Sequence, residues 1–179
     1  MTGVQTCALP ILEGNRRTSL RQDVQREMQK RGTACRCIRC REVRGQIVNA
    51  DELSFDDYVY TPAYSEEHFL SYNTPADQLA GYLRLSFPQP DAPSLDIPEL
   101  EGAGIIREVH VYGQSLPVGS ERDGATQHRG LGTSLLDEAD RIAREKGVNR
   151  LAVIAAVGTR QYYAQRGFVQ HELYMVKEI

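Results

Sequence analysis

Two clusters in this chain have the residue types and spacing to do chemistry. The first is Gln127-His128-Arg129-Gly130-Leu131-Gly132-Thr133. Gly130 and Gly132 have no Cβ, so backbone N–H groups there can approach a ligand closely. An amphipathic helix follows, and its N-terminus offers unsatisfied N–H groups and partial positive charge. A pyrophosphate suits such a place. A plain helix N-terminus without a ligand would read the same way. The second cluster is Cys35, Cys37 and Cys40, spaced C-x-C-x-x-C. Three thiolates so spaced can surround one tetrahedral zinc ion. His68, His110, His128, His171 and the acidic side chains qualify as a fourth ligand by type alone. Three reduced structural cysteines are the alternative.

These clusters need elements to position them. Leu131, Leu135, Ala139, Ile142 and Ala143 recur at helical spacing and predict a helix ending at Gly147. Asp137 with Arg141 and Asp140 with Arg144 are i,i+4 pairs on its solvated side. Leu20, Val24 and Met28 form a narrower stripe on a helix from Leu20 to Arg31, stopped by Gly32. Arg41 to Ile47 reads as a short strand. Residues 49 to 65, acidic and aromatic, show no clean period. His68 to Tyr72 and Gln78 to Phe87 read as strands around an Asn73–Asp77 turn, with Leu79, Gly81, Leu83 and Leu85 on one face. Pro88, Pro90, Pro93 and Pro98 mark an exposed loop to about Gly104. Ile105 to Tyr112 predicts a strand in which alternation sets Arg107 and Val109 opposite Glu108 and His110. The polar loop 113–126 follows it. Arg150 to Val157 is a continuous apolar run, as in a buried central strand. Thr159 to Arg166 reads as a short helix stopped by Gly167, and Phe168 to Lys177 as a closing strand or hairpin arm.

With 179 residues, 41% of them hydrophobic and 25% charged, the chain is long enough for one good core with a small appendage. No apolar run is long enough to span a membrane, and no basic leader precedes Cys7–Leu12. The reading is a cytoplasmic protein without membrane contact, which disfavours disulfides. Between Arg16 and Arg44 stand ten Lys or Arg against three Asp or Glu, a net of +7. Since the whole chain carries −3, the remainder carries −10. A basic segment on an acidic body points to a nucleic-acid contact or to a solvated Arg-rich helix. Residues 1–11 look like translated sequencing-adapter read-through, so Cys7 is left out of the cysteine argument. The expected organisation is that tail, a basic helix with a Cys-rich linker over 12–48, and a catalytic-type domain over 49–179.

The order strand, glycine loop, long helix, buried strand, Tyr-bearing short helix and final strand resembles the GNAT acyltransferase core. The likeness extends to particular stretches. Arg107-Glu108-Val109-His110-Val111-Tyr112-Gly113, Gln127 to Gly132, Gly158-Thr159-Arg160-Gln161-Tyr162-Tyr163 and Tyr174-Met175-Val176-Lys177 resemble the C-terminal acetyltransferase domain of the Elongator catalytic subunit. Phe69 to Tyr72 and Cys35 to Val43 resemble the same family, so the likeness covers most of residues 15–179. It implies an α/β GNAT acyl-CoA N-acyltransferase fold: a mixed, mostly antiparallel sheet flanked by helices, with a small Cys-rich zinc-binding arm.

Family members modify tRNA wobble uridines at C5, using acetyl-CoA and a radical S-adenosylmethionine domain with an iron–sulfur cluster. Nothing here resembles that domain beyond its last helix, and its cluster-binding cysteines are absent. The resemblance therefore implies a C-terminal fragment whose full reaction needs the missing domain. It further implies that Glu108, Val109, His110 and Val111 lie on a strand splayed from its neighbour, so that their backbone binds the pantetheine arm as an added strand. Gln127, Arg129, Gly130, Leu131, Gly132 and Thr133 would hold the pyrophosphate. The departing thiolate needs a proton, which Tyr162 or Tyr163 would donate, Tyr162 being favoured. Both can instead be packing residues. Glu108 or His110 would polarise a water or nucleophile, although His110 is equally a candidate sheet histidine.

Three functions compete at this point. One is the acetyl-CoA-binding and acetyl-CoA-cleaving part of a tRNA-modifying enzyme. Another is a protein or small-molecule N-acetyltransferase with no tRNA dependence. The third is a non-catalytic tRNA-binding module with a vestigial CoA site. The glycine loop and paired tyrosines argue against the third, and the basic arm with its cysteines favours the first. A homodimer or Elongator-like partner chains stay open.

Overall fold

The computed structural model describes residues 19–44, 46, 48–112 and 130–179. The chain divides into two compact units, residues 1–40 and 41–179. In the first, α1 (Leu20–Lys30) carries the Leu20, Val24 and Met28 stripe, yet none of its residues is buried. It ends where Gly32 takes φ +65° and the Thr33 N–H bonds to the Met28 carbonyl at 2.9 Å. A short turn, α2 (Ile38–Arg41), follows the first two cysteines. Among the described residues no helix is long and apolar enough to cross a membrane.

The second unit is a seven-stranded sheet. Its strands are β1 (Ser54–Tyr60), β2 (Ser65–Asn73), β3 (Leu79–Pro88), β4 (Gly104–Val111), β5 (Arg150–Val153), β6 (Val169–Gln170) and β7 (Met175–Glu178). They lie in the order β1-β2-β3-β4-β5-β7-β6. Among the described strands only β4 and β5 pair in parallel. Such a pair needs a crossover, here the helix α3 (Leu131–Glu145). A short helix, α4 (Arg160–Ala164), joins β5 to the final hairpin.

Helix α3 lies on one face of the sheet because both surfaces are apolar there. Leu135, Leu136, Ala139, Ile142 and Ala143 meet Leu70, Leu83, Leu85, Phe87, Ile106, Leu151 and Val153 in one buried cluster. Gly147, at φ +71°, lets the Val148 N–H reach the Ala143 carbonyl and its own N–H reach Arg144. This is a Schellman ending. Gly167, at φ +87°, ends α4 alike, with Phe168 bonded back to Tyr163. On the opposite face Leu100, Ala103 and Ala152 form a smaller buried cluster.

Three local readings are corrected. The described residues of Arg41–Ile47 form no strand: Arg41 closes α2, and Glu42 makes only an isolated bridge to Leu79. The aperiodic stretch 49–65 contains β1, an edge strand almost wholly exposed on both faces, so burial imposes no alternation on it. In β4, the pairing shifts so that Arg84 faces Glu108 while Leu85 faces Ile106. This bulge sets Arg107 against Glu67 of β2, 3.1 Å away, instead of with Val109, which packs on the α3 core.

Candidate acyl-transfer site

The site begins with a ladder that stops. β4 and β5 pair only at Gly104↔Leu151, Ile105↔Ala152 and Ile106↔Val153. Beyond Val153 the chain leaves the sheet, with Ile154 65% and Val157 78% exposed. That is why β5 is shorter than its apolar run predicts. The β5-side backbone of Arg107 to Val111 therefore has no strand partner among the described residues. It can accept a chain running alongside it.

The N-terminus of α3 faces the same end of the sheet. Gly130 is its N-cap and brings no side chain to the first-turn amides. A Cβ built on Gly130 would meet nothing within 4 Å. One on Gly132 would stand 2.5 Å from the Tyr162 hydroxyl and 3.6 Å from Val111 Cγ2. Gly132 is thus the floor on which the phenol rests. Leu131 is buried in a cluster with Val43, Val48 and Ala80, against which Val111 and Tyr112 pack. Gln127 and Arg129 lie outside the described residues, as does His128.

The two tyrosines part company. Tyr163 is buried in the α3 core, edge-on to Phe168 at 5.6 Å. Tyr162 is half-buried and ends at Gly132. Burial raises its pKa above the ordinary tyrosine value, against opposing pulls from Arg166 and the Thr133 hydroxyl. Burial raises Tyr163 as well. A phenol so placed keeps its proton at neutral pH and can hydrogen-bond to, and transiently protonate, a departing thiolate.

Glu108 accepts a hydrogen bond from the Tyr82 hydroxyl and has Arg84 3.9 Å away. Burial and the Glu108 carboxylate both push the Tyr82 pKa upward, so Tyr82 stays a donor to Glu108. His110 is exposed, stacked on Tyr82 at 5.9 Å and tilted against Tyr112 at 4.5 Å. Tyr82 was not expected at the site. Its signal was the alternation of β3, which turns Tyr82 and Arg84 away from the leucine face.

In the first unit the Sγ atoms of Cys35, Cys37 and Cys40 all lie within 4.8 Å of one another. Arg21 donates to Cys40 at 3.2 Å and to Cys37 at 3.7 Å, and Gln25 donates to Cys40 at 3.4 Å. Hydrogen bonding from Cys35, the Cys40 backbone and Arg21 pulls the Cys37 thiol down to about 6. Thiolate character and this spacing fit a zinc site. Among the described residues no fourth ligand joins the group. His68 is engaged elsewhere, between Asp57 and Glu66 at 2.9 Å from each.

A mixed sheet with one splayed parallel pair, a crossover helix starting at glycines and a tyrosine on the next short helix defines the GNAT acyltransferase fold. The comparisons with known proteins take this further. No protein-family model matches the chain. The chain is 40% identical over 168 residues to the tRNA uridine(34) acetyltransferase of Dehalococcoides mccartyi, covering 90% of this chain and 36% of that one. It is 41% identical over 178 residues to Elongator complex protein 3 of Danio rerio, covering 94% and 32%. The solved structure of archaeal Methanocaldococcus infernus Elp3 with an N-terminal deletion superposes with a TM-score of 0.73 at 31% identity, covering 94% of this chain and 41% of that one. Over nearly its whole length the chain is similar to these Elongator complex protein 3 and tRNA uridine(34) acetyltransferase sequences, and it spans about a third of the length of the curated relatives it matches.

Proposed function

We propose that this chain is the acetyl-CoA-binding and acetyl-CoA-cleaving domain of an enzyme that modifies tRNA wobble uridine at C5. The observation that carries the reading is the early end of the β4–β5 ladder beside the α3 N-terminus, whose N-cap is Gly130. The unpaired backbone of Arg107 to Val111 binds the pantetheine arm, and the amides of Gly130 to Thr133 take the pyrophosphate. The family resemblance adds Gln127 and Arg129 as candidate pyrophosphate contacts. As the acetyl carbon is attacked by water or an acceptor, its bond to sulfur breaks. The thiolate then takes the Tyr162 proton, and the phenolate is reprotonated from solvent. Glu108, held by Tyr82, and His110 are the groups next to the acceptor side.

The cysteines would hold zinc as a structural ion that fixes the Arg-rich arm, which with its basic charge would contact tRNA. Carbon chemistry at the uridine belongs to the radical S-adenosylmethionine domain that the family resemblance assigns to another part of these proteins. An amine-acceptor acetyltransferase would show acetyl transfer independent of tRNA.

The test of the site is Gly130. At φ −93° and with open space around its Cβ, it is not required by the described fold. Gly130→Phe should leave the circular dichroism and melting unchanged and weaken acetyl-CoA binding by calorimetry at least about tenfold, by filling the pyrophosphate space. Unchanged affinity would remove the loop assignment. Metal analysis should find about one zinc per chain, lost on replacing Cys35, Cys37 and Cys40 by Ser.

A further inference from the structure

Arg166 has no part in the sequence reading, yet it makes more contacts around the proposed acid than any other described cation. It stands four residues after Tyr162, one helical turn on. Its Nη1 donates to the Tyr162 backbone carbonyl at 2.7 Å. Its Nη2 and Nε both donate to the Thr133 hydroxyl, at 2.8 and 3.2 Å. Its guanidinium carbon lies 3.6 Å from the centre of the Tyr162 ring. The Schellman ending at Gly167 fixes the Arg166 backbone, so the fork starts from a set position.

The geometry points to Arg166 as a positioning residue for the acyl-transfer step. It ties α4 to the first turn of α3 and clamps the Tyr162 ring so that the hydroxyl rests on Gly132, where a departing CoA thiolate would need a proton. This deepens the function proposed above and rests on it. The clamp has three sides: the guanidinium plane on one ring face, the Gly132 Cα under the hydroxyl, and Tyr163 edge-on at 5.3 Å. Two tyrosine side-chain torsions are enough to lose the proton-donor geometry if the guanidinium side is removed. Thr133 serves this clamp with its hydroxyl while its backbone amide remains available to an anion. An arginine is needed because a lysine cannot lie flat on a ring and donate in a fork at once. The cation also favours the phenolate, so it lowers the cost of giving up the proton.

A positioning role differs from a phosphate-binding role and from a purely structural one, and a double-mutant cycle separates them. The full chain would be assayed as wild type, Arg166→Ala, Arg166→Lys, Tyr162→Phe and the Tyr162→Phe/Arg166→Ala double variant. The readouts are acetyl-CoA binding, turnover of acetyl-CoA hydrolysis, melting, and tyrosine ionisation by ultraviolet difference absorbance. Arg166→Ala should lower turnover about tenfold and leave acetyl-CoA affinity within about twofold, a part of the 10²–10⁴ that a positioned acid supplies. In the Tyr162→Phe background the same change should cost no further turnover. Arg166→Lys should keep part of the activity. The tyrosine titration that Tyr162→Phe removes should move to higher pH in Arg166→Ala, and the alkaline limb of hydrolysis with it.

An Arg166→Ala variant with wild-type turnover, or one whose loss is undiminished in Tyr162→Phe, overturns the proposal. So does a loss that falls on acetyl-CoA affinity, which would make Arg166 a phosphate ligand. If Arg166→Ala does not fold, Arg166→Lys and its cycle with Tyr162→Phe decide the same question. A wild-type chain that neither binds nor cleaves acetyl-CoA brings down the functional reading itself, and that result is distinct from the others.

Discussion

Helices α1 and α3 announce themselves in the same way and are used differently. Each has an apolar stripe at helical spacing, acidic and basic side chains on the other side, and a glycine beyond its last turn. Every stripe residue of α3 is buried, Leu135 and Ala139 completely. In α1 Leu20 is 43% and Val24 47% exposed. Periodicity states that a helix has an apolar face. It does not state what covers that face. For α3 the cover is four strands with their own apolar face. The stability and the catalytic geometry of the domain both follow from that one contact, since docking α3 also fixes where its N-terminal amides point.

The widest effect should come from the stripe of α3. Leu135→Ala removes a fully buried side chain from the sheet contact and should cost about 3 kcal/mol in chemical denaturation. A cost under about 1 kcal/mol would mean that α3 is not the keystone. Next comes the helix's first turn. Gly132→Ala gains roughly 1 kcal/mol of helix propensity but pushes on the Tyr162 hydroxyl. Melting should hardly move, while acetyl-CoA turnover falls about tenfold. Full activity in that variant would separate Tyr162 from the reaction. A smaller effect belongs to the other end of α3, where Lys146 pairs with Glu66. Hydrogen bonds from Lys146 and then His68 depress the Glu66 pKa. Its contribution is therefore present above the unfolded carboxylate value and is lost as pH falls through the folded one. Glu66→Gln should flatten the stability profile below about pH 4.5 by less than roughly 1 kcal/mol, because the pair is a third exposed. The smallest change should be Val24→Ser on α1, within about 0.5 kcal/mol. A large loss there would show that its stripe is covered after all.

The elements readable in the sequence were those whose burial enforces a pattern. β3, with its leucines on one face, and α3, with Gly147 at a positive φ, are visible because the core tolerates little else. β1 was not visible: an edge strand carrying Asp56, Asp57 and four aromatic or β-branched neighbours has no buried face to impose alternation. The bulge in β4 was hidden because a shifted pairing depends on the partner strand, not on Ile105 to Val111 alone. The site followed the same division. Gly130 and Gly132 stood out by type and spacing, and Tyr162 through the family resemblance. Arg166 and Tyr82 did not, since an arginine two residues past a five-residue helix and a tyrosine on an alternating strand are ordinary until distances join them to Thr133 and Glu108.

The measurement that tests the account most directly is acetyl-CoA hydrolysis by the purified chain with and without bulk tRNA. The account predicts measurable hydrolysis that tRNA stimulates and that Tyr162→Phe suppresses. A chain that binds acetyl-CoA but cleaves it equally with and without tRNA, or transfers acetyl groups to simple amines instead, would contradict it.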